Sequence, residues 1–356
     1  MRLQSFYGDM PKVYCREITR RISFKTGKIP WIARFYIAPF KRWNSLGRQA
    51  LFGAPNFLAF FLFQKFWPFK TTGTFTYQAQ GRDIPLTFNV KNTQFQAVYS
   101  DKFSMGYEPQ ISALLEVLLP DDGIFYDIGS NWGWFTLHLA AKPNFQGSVH
   151  AFEPFPPSYS DLCSMIEQAG LANCVQAHHL ALSDYVGRAA MRLPDKFQSG
   201  QAVMEESAGA ERGTIPTASL DSLKLAPPDL IKADVEGVET RVFKGASQLL
   251  SQHKPMLVFE NSRHADDAWN TLEPLAFLQE LGYEFFQVGW LRTSGPHSFL
   301  IGDDADPKPQ SKEILALSPF CWEERLLRYD GMNVFACHRD RISELKTLFT
   351  ERTLQN

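Results

Sequence analysis

The sequence predicts an α/β fold in which a mostly parallel sheet carries helices on both faces. Short apolar runs recur along the middle of the chain, most of them end at an acidic residue, and helical patterns separate them. Strands that alternate with helices are typical of parallel sheets, which bind ligands at the carboxyl ends of their strands. At 356 residues the chain is long enough for one large domain of this kind and an accessory segment.

The first predicted strand and its loop are the most informative part of the chain. Ile124–Ile128 contains Asp127 near its end, and the loop that follows has Gly129 and Gly133 with Asn131 between them. Glycine and asparagine tolerate the left-handed backbone of a tight turn. A dinucleotide loop would contain G-x-G-x-x-G, whereas here the middle glycine is absent and a carboxylate precedes the first. That carboxylate suits the ammonium group of S-adenosylmethionine (SAM), although a turn without a ligand remains the alternative.

The next two predicted strands extend the nucleotide-like pattern. Ser148–Phe152 ends at Glu153 and Pro154, about 20 to 25 positions after the glycine loop, where a carboxylate holds a ribose diol in such folds. Proline cannot continue a strand ladder, so it helps to end the strand. A solvated glutamate is the alternative interpretation. Cys174–His179 predicts the third strand, and Leu182 beyond it is expected beside the adenine.

Two further strands are expected to deliver carboxylates to the same edge. Leu230–Ala233 is followed by Asp234 and Glu236, and Met256–Phe259 is followed by Glu260. Because parallel strands end at a common edge, these carboxylates should lie near those of the first two strands.

Together these motifs resemble the FkbM family of SAM-dependent methyltransferases, over about residues 105 to 340. The matching blocks, in the family's order and spacing, are Asp127–Gly133, Phe152–Pro154, Leu220–Leu223, Ile231–Gly237 and Lys244–Ala246. The resemblance implies the Rossmann-like SAM-methyltransferase fold, a three-layer sandwich around a seven-stranded, mostly parallel sheet with one antiparallel strand. Gly282–Trp290 and Met332–His338 would be its last two strands.

The resemblance also implies O-methylation of a hydroxyl on a sugar, a glycolipid or polysaccharide, or a secondary metabolite. The residues expected around SAM are Asp127, Gly129, Ser130, Asn131, Gly133, Glu153, Pro154, Leu182 and Asp234. Asp234 is the first choice for the acceptor side, and Glu236, Glu260 and His264 are the other candidates for the general base. His264 lies in a polar loop, where a solvated histidine is the alternative. Mg²⁺ is a less favoured addition, with Asp234, Glu260 and Asn261 as its oxygen ligands.

The charge of the chain is divided unevenly. Residues 1–70 hold 13 Lys or Arg against Asp9 and Glu17, a net charge of +11, so the remainder carries −13 of the total of −2. Val13, Ile18, Ile22 and the basic residues between them suggest an amphipathic basic helix, and aromatic residues are frequent in the rest of this region. These features predict peripheral membrane contact, with packing on the catalytic domain or a second subunit as the alternative.

We therefore expect a basic, aromatic extension at residues 1–70, a small β segment at 71–105 and a methyltransferase domain at 106–345. Five cysteines form no C-x-x-C pair, which indicates neither a zinc site nor a disulfide framework. The start of the chain does not resemble a secretory signal, so a cytoplasmic location, with membrane association, is expected. Homo-oligomerisation is compatible with the sequence, and nucleic acid is an unlikely partner. A non-catalytic scaffold of a glycan-assembly complex and a dinucleotide-dependent oxidoreductase stay open as alternatives.

Overall fold

A computed structural model describes residues 12–21, 23–27, 72–79, 81–90, 92–99, 103, 106–192, 203–206, 214–263, 268–294, 297–301, 313–328 and 331–353. The strands are β1 Lys12–Ile18, β2 Phe24–Thr26, β3 Thr72–Ala79, β4 Arg82–Asn89, β5 Ile124–Ile128, β6 Ser148–Phe152, β7 Val175–His178, β8 Ala181–Leu182, β9 Gly187–Arg192, β10 Val203–Glu206, β11 Thr214–Ala218, β12 Leu230–Ala233, β13 Met256–Asn261, β14 Tyr283–Ser294, β15 His297–Ile301, β16 Glu313–Phe320, β17 Met332–His338 and β18 Thr350–Thr353. The α-helices are α1 Gln96–Tyr99, α2 Pro109–Leu118, α3 Trp134–Ala140, α4 Pro156–Ala169, α5 Glu239–Lys244, α6 Ser247–His253, α7 Ala268–Glu280 and α8 Ile342–Leu348. In this described part of the chain, no helix combines the length and apolar character needed to cross a membrane.

The main sheet contains the predicted seven strands in the order β7-β6-β5-β12-β13-β17-β14. The five strands from β7 to β13 are parallel, whereas β17 runs antiparallel to both of its neighbours. The predicted sheet with one antiparallel strand is therefore confirmed. Four strands that were not predicted enlarge it, because β16, β1 and β18 continue beyond β14 and β15 pairs with β14. Two smaller sheets, β10-β9-β11-β8 and β2-β3-β4, complete the described strands.

Apolar side chains cover both faces of the main sheet, as the predicted three-layer sandwich requires. Leu137 of α3 packs in one core cluster, and Phe243 of α5 and Leu275 of α7 pack in a second. Neighbouring residues of β5 are divided between the clusters, Phe125 in the first and Tyr126 in the second. Successive side chains of a strand point to opposite faces, so helices lie on both sides of the sheet.

The first described strand corrects one expectation about the N-terminal region. Lys12–Ile18 is the strand β1 rather than part of an amphipathic helix, and it pairs antiparallel with β16 and β18. Val13 and Cys15 are buried, and the residues beside them are more exposed, which is the period of two that a strand requires. Part of the N-terminal region is thus built into the main sheet. Most of residues 1–70 lie outside the described residues.

The small β segment packs against the glycine loop. β3 and β4 form an antiparallel hairpin that β2 extends. Phe75 of β3 and Phe24 of β2 contact the Trp132 ring at centroid distances of 5.9 and 5.8 Å. The Trp132 indole N–H also donates to the Gln94 carbonyl, at 3.3 Å, in the 3-10 turn Thr93–Phe95 that precedes α1. The hairpin and this turn therefore form one wall above the carboxyl edge of the main sheet.

Candidate active site

The glycine loop after β5 has the tight geometry that its sequence predicts. Gly129, Asn131 and Gly133 all have positive φ angles, of 79°, 50° and 96°. A Cβ atom at Gly129 would lie 1.8 Å from the backbone oxygen of Asp234, so only glycine fits there. The amides of Gly129 and Ser130 both donate to the Phe152 carbonyl, at 2.9 and 3.1 Å. These contacts fix the loop against the ends of β6 and β12.

Asp127 holds the start of α3 in place. Its Oδ2 accepts hydrogen bonds from the Thr136 amide at 3.0 Å and from the Thr136 hydroxyl at 2.6 Å. The side chain is buried, and burial raises the pKa of Asp127 to about 6 in spite of these bonds. The carboxylate that precedes the loop is thus engaged with the first helix, and it does not line the cavity described below.

Glu153 joins the glycine loop to the end of β6. Its Oε2 accepts from the Asn131 amide and its Oε1 from the Phe155 amide, both at 2.8 Å. Burial raises the pKa of Glu153 to about 7, although both hydrogen bonds favour the ionised form. Each carboxylate oxygen has a second lone pair, so the group can still accept from two hydroxyls.

A buried ion pair lies at the end of β12. The Lys232 ammonium is 2.9 Å from Asp234 Oδ2 and 4.7 Å from the centre of the Phe135 ring. Burial alone would lower the pKa of Lys232, but the charges of Asp234 and Glu108 outweigh it and the pKa rises. For Asp234, burial alone would raise the pKa, but Lys232 outweighs it and the pKa falls. Both members of the pair are therefore ionised.

Two more carboxyl groups complete what we call the carboxylate cluster, Asp234, Glu236 and Glu260. Burial, followed by the charge of Asp234, raises the pKa of Glu260 to about 8, and Glu260 shares a hydrogen bond with Asp234. The same two causes raise the pKa of Glu236 to about 7. Glu236 also has a positive φ of 54°, a conformation that costs a non-glycine residue free energy and is enriched at functional sites.

The loop and the cluster enclose a cavity of about 200 Å³. The predicted site residues that line it are Gly129, Ser130, Asn131, Asp234, Glu236 and Glu260. Asp127 and Glu153 are not part of this lining. Glu153 accepts from the Asn131 amide of the loop, and Asp127 accepts from Thr136 of α3. His264, the fourth base candidate, lies outside the described residues.

Three other predicted SAM-binding residues lie away from the cavity lining. Leu182 is 3% exposed and belongs to the core cluster that contains Leu220. Pro154 places its carbonyl 3.2 Å from the His179 ring. Gly133 is the N-terminal cap of α3, where a Cβ atom would lie 2.7 Å from Leu162.

The predicted set of Mg²⁺ ligands is not brought together, because Asn261 is engaged elsewhere. The Asn261 amide group donates to the Thr271 carbonyl at 3.0 Å, and Asn261 Oδ1 accepts from Arg325 Nε at 2.5 Å. Strand β13 continues through Glu260 and Asn261, so these neighbours point to opposite faces of the sheet. Among the residues that the structure describes, no group of three His, Cys, Asp or Glu side chains is arranged to hold a metal.

Several lining residues were not predicted from the sequence. They are Gln94, Ala97, Tyr107, Trp132, Trp134, Phe135 and Lys232. Lys232 carried a signal, because it is the one charged residue in the apolar run Leu230–Ala233. Trp132 and Trp134 line the cavity and also contact Phe24, at centroid distances of 5.8 and 4.4 Å. They therefore shape the pocket and at the same time anchor the N-terminal region.

The part of the chain that holds the site is similar to a known protein family. Residues 126–285 match the family model described as the methyltransferase FkbM domain. Comparison with curated proteins gives no match. Among solved structures, a methyltransferase FkbM from Methylobacillus flagellatus is similar, with 16% identity and a TM-score of 0.38, over 61% of this chain and 44% of that chain. An O-methyltransferase from Bacillus cereus, in complex with SAH, has 16% identity and a TM-score of 0.32, over 61% of this chain and 80% of that one.

A precorrin-6y C5,15-methyltransferase from Geobacter metallireducens is similar at 15% identity and a TM-score of 0.34, over 60% of this chain and 87% of that chain. These structural likenesses are distant, and the chain spans less than half of the Methylobacillus protein. The family match covers the glycine loop, Glu153, the carboxylate cluster, most of β5 and the strands β6 to β13. The resemblance drawn from the sequence motifs is thus confirmed over residues 126–285, which are similar to the methyltransferase FkbM domain.

Proposed function

We propose that this methyltransferase is SAM-dependent and transfers the methyl group to a hydroxyl oxygen of a sugar, a glycolipid or polysaccharide, or a secondary metabolite. The observation that carries the proposal is the cavity, in which the carboxylate cluster meets the glycine loop at the carboxyl edge of the sheet. Only Lys232 contributes a positive charge to its described lining. Such a cavity attracts a cationic ligand and can remove a proton from an acceptor.

The residues present fit SAM. Glu153, which is hydrogen-bonded to the Asn131 amide, can accept from the two ribose hydroxyls, and Gly129, Ser130 and Asn131 line the cavity that would hold the methionine part. The negative charge of Asp234 suits a sulfonium centre. When bound, SAM supplies a methyl group that its sulfonium has already activated, so the acceptor oxygen bonds to the methyl carbon as the C–S bond breaks and S-adenosylhomocysteine remains.

Among the three carboxyl groups that line the cavity, Glu236 has the pKa best suited to taking the proton of the acceptor hydroxyl. An efficient general base has a pKa near the working pH, and partial desolvation together with the charge of Asp234 raises the pKa of Glu236 to about 7. Asp234, the first choice from the sequence, is a weaker base because its ion pair with Lys232 lowers its pKa. We assign Asp234 the role of a fixed negative charge. Glu260, with its higher pKa, donates its proton in the hydrogen bond to Asp234.

The test is methyl transfer from methyl-labelled SAM to fractionated glycans, lipids and small metabolites. We expect label in a hydroxyl-bearing fraction with the wild-type protein and loss of that label with Glu236→Gln. Glu280→Gln, at the exposed end of α7, makes the same chemical change away from the site and should keep full activity. A wild-type protein that binds SAM but labels no fraction would support the scaffold alternative. Binding of NAD in place of SAM would support the oxidoreductase alternative.

We also propose that the N-terminal region contacts an anionic membrane or a lipid-linked glycan while the enzyme remains cytoplasmic. Residues 28–71, outside the described part, contain seven Lys or Arg and no acidic residue. The test is co-sedimentation of the full chain with phosphatidylserine liposomes, compared with a variant in which these seven residues are Gln. Equal binding would contradict the proposal. Removal of residues 1–70 would be a poorer test, because it would take β1 out of the main sheet.

A further inference from the structure

The residue that opens α2 adopts an unusual backbone conformation. Glu108 has φ 41° and ψ 61°, in the left-handed region, and Pro109 follows it. Side chains other than those of glycine, asparagine and aspartate rarely adopt this region. A residue that precedes proline also favours an extended conformation, so the left-handed conformation of Glu108 is disfavoured for a second reason. Such strained residues persist where the rest of the structure enforces them, often at functional sites.

The carboxyl group of Glu108 has unused hydrogen-bonding capacity. It accepts side-chain hydrogen bonds from Asn333 and Tyr107. Within the described residues, however, its buried Oε2 has no hydrogen-bond partner, and neither does the buried Oδ1 of Asn333. A buried oxygen without a partner costs free energy, which a ligand that donates hydrogen bonds would recover.

Both oxygens lie on the side of the site opposite to Glu153. Glu108 interacts with the charges of Lys232 and Asp234, at the end of β12. Asn333 is on β17, directly across from Glu260 of β13. Glu153, by contrast, follows β6 on the other side of β5. Tyr107, next to Glu108, and Glu260, across from Asn333, both line the cavity, so Glu108 and Asn333 lie directly behind its lining, on the side of the carboxylate cluster.

We propose that Glu108 and Asn333 bind the acceptor through hydroxyl groups next to the one that is methylated. This inference rests on the proposed function and narrows the acceptor to a molecule with hydroxyls on neighbouring carbons, such as a sugar ring. Because the two side chains are hydrogen-bonded to each other, one acceptor molecule with neighbouring hydroxyls could contact both residues. A hydroxyl both donates and accepts, so either protonation state of Glu108 can bind it.

The test uses a panel of methyl hexosides and their monodeoxy analogues with methyl-labelled SAM. We expect Glu108→Gln to raise the KM of the hydroxylated acceptor about 10- to 100-fold, the usual effect of losing a hydrogen bond to a charged group. The dissociation constant of SAM, measured by calorimetry, should stay the same. With the deoxy analogue that lacks the bound hydroxyl, the wild-type protein and Glu108→Gln should have equal kcat/KM. Neither protein can then form the hydrogen bond between residue 108 and that hydroxyl.

Two further variants separate binding from folding. Glu108→Gly relieves the backbone strain, so it should have an equal or higher melting temperature and the same raised KM as Glu108→Gln. Glu280→Gln is the matched surface control, and its KM should not change. If the wild-type protein is active and Glu108→Gln leaves the acceptor KM unchanged, this inference is wrong but the proposed function still stands. A wild-type protein that methylates only acceptors without adjacent hydroxyls would also overturn it. Failure to methylate any hydroxyl would overturn the proposed function as well.

Discussion

The ammonium group of Lys232 lies 2.9 Å from Asp234 Oδ2, in a cavity where the lysine side chain is only 1% exposed. Lys232 lies on β12, two residues before Asp234, and its ammonium group lies over the Phe135 ring. Two charges that have lost their water must compensate each other. The pair therefore fixes an ionised Asp234 beside the glycine loop, and the negative charge of Asp234 helps to raise the pKa values of Glu236 and Glu260.

Replacing Lys232 with Met should destabilise the protein by about 3 to 5 kcal/mol, because it leaves Asp234 buried without its partner. Urea unfolding measures the change. The double variant Lys232→Met/Asp234→Leu removes both charges and should recover much of that loss. If the loss of unfolding free energy in the double variant equals the sum of the losses in Lys232→Met and Asp234→Leu, the two residues are not coupled.

Glu236→Gln should lower kcat by about 10²- to 10⁴-fold, the usual contribution of a general base. In the wild-type protein, kcat should rise as the pH increases through about 7, because the raised pKa of Glu236 means that its basic form accumulates only above that pH. The rise should disappear in Glu236→Gln. A pH profile of the same shape in both proteins would show that another group takes the proton.

Gly129→Ala should destabilise the protein by about 3 kcal/mol or more and abolish SAM binding, because its Cβ would lie 1.8 Å from a backbone oxygen. Gly170→Ala is the matched control. Gly170 also has a positive φ, of 68°, but an added Cβ there meets no atom within 4 Å. It should cost only about 1 kcal/mol, the price of the backbone conformation. Equal losses in the two variants would mean that the contact with Asp234 has no separate effect.

Glu153→Gln should weaken SAM binding about 10- to 100-fold. The two carboxylate oxygens accept from the Asn131 and Phe155 amides and are expected to accept from the ribose hydroxyls, and the variant replaces one of these oxygens with an amide nitrogen. Calorimetry with SAM and with methionine separates the two effects. Methionine lacks the ribose, so its weaker binding should change less. A parallel loss for both ligands would show that the variant only distorts the loop.

Methyl transfer should continue in the presence of EDTA. The amide of Asn261 is committed to Thr271 and Arg325, and Asp234 is committed to Lys232, so the oxygen ligands considered for Mg²⁺ are already used. The measurement is the initial rate before and after chelation, followed by addition of Mg²⁺. Loss of activity that Mg²⁺ restores would contradict this expectation.

The parts of the fold that were predicted correctly have local sequence signals. An apolar run followed by Gly129, Asn131 and Gly133 specifies a strand and a left-handed turn wherever it occurs. Strand β1 has no comparable local signal. Its partners in β16 are almost 300 residues away, as the pairing of Glu17 with Ile314 shows, and its amphipathic pattern was compatible with a helix.

The carboxylates of the site were found because they follow strands, but the directions of their side chains were not. Asn261 was expected beside Glu260, yet β13 continues through both, and their side chains diverge. Glu108 opens α2, and its strained conformation and its contact with Asn333 depend on how α2 packs against the sheet. Such contacts join distant parts of the chain, and no pattern within a single segment predicts them.

Strand β1 can pair with its neighbours in the sheet only after most of the chain has been synthesised. It pairs with β16, which the ribosome makes almost 300 residues later, and with β18, which the ribosome makes about 340 residues later. At about 5 to 20 residues per second, the nascent chain must keep this segment unpaired for about 15 to 60 s. During translation the strand exposes unsatisfied amides and carbonyls to other chains, so truncated products that end before residue 313 should be prone to aggregation.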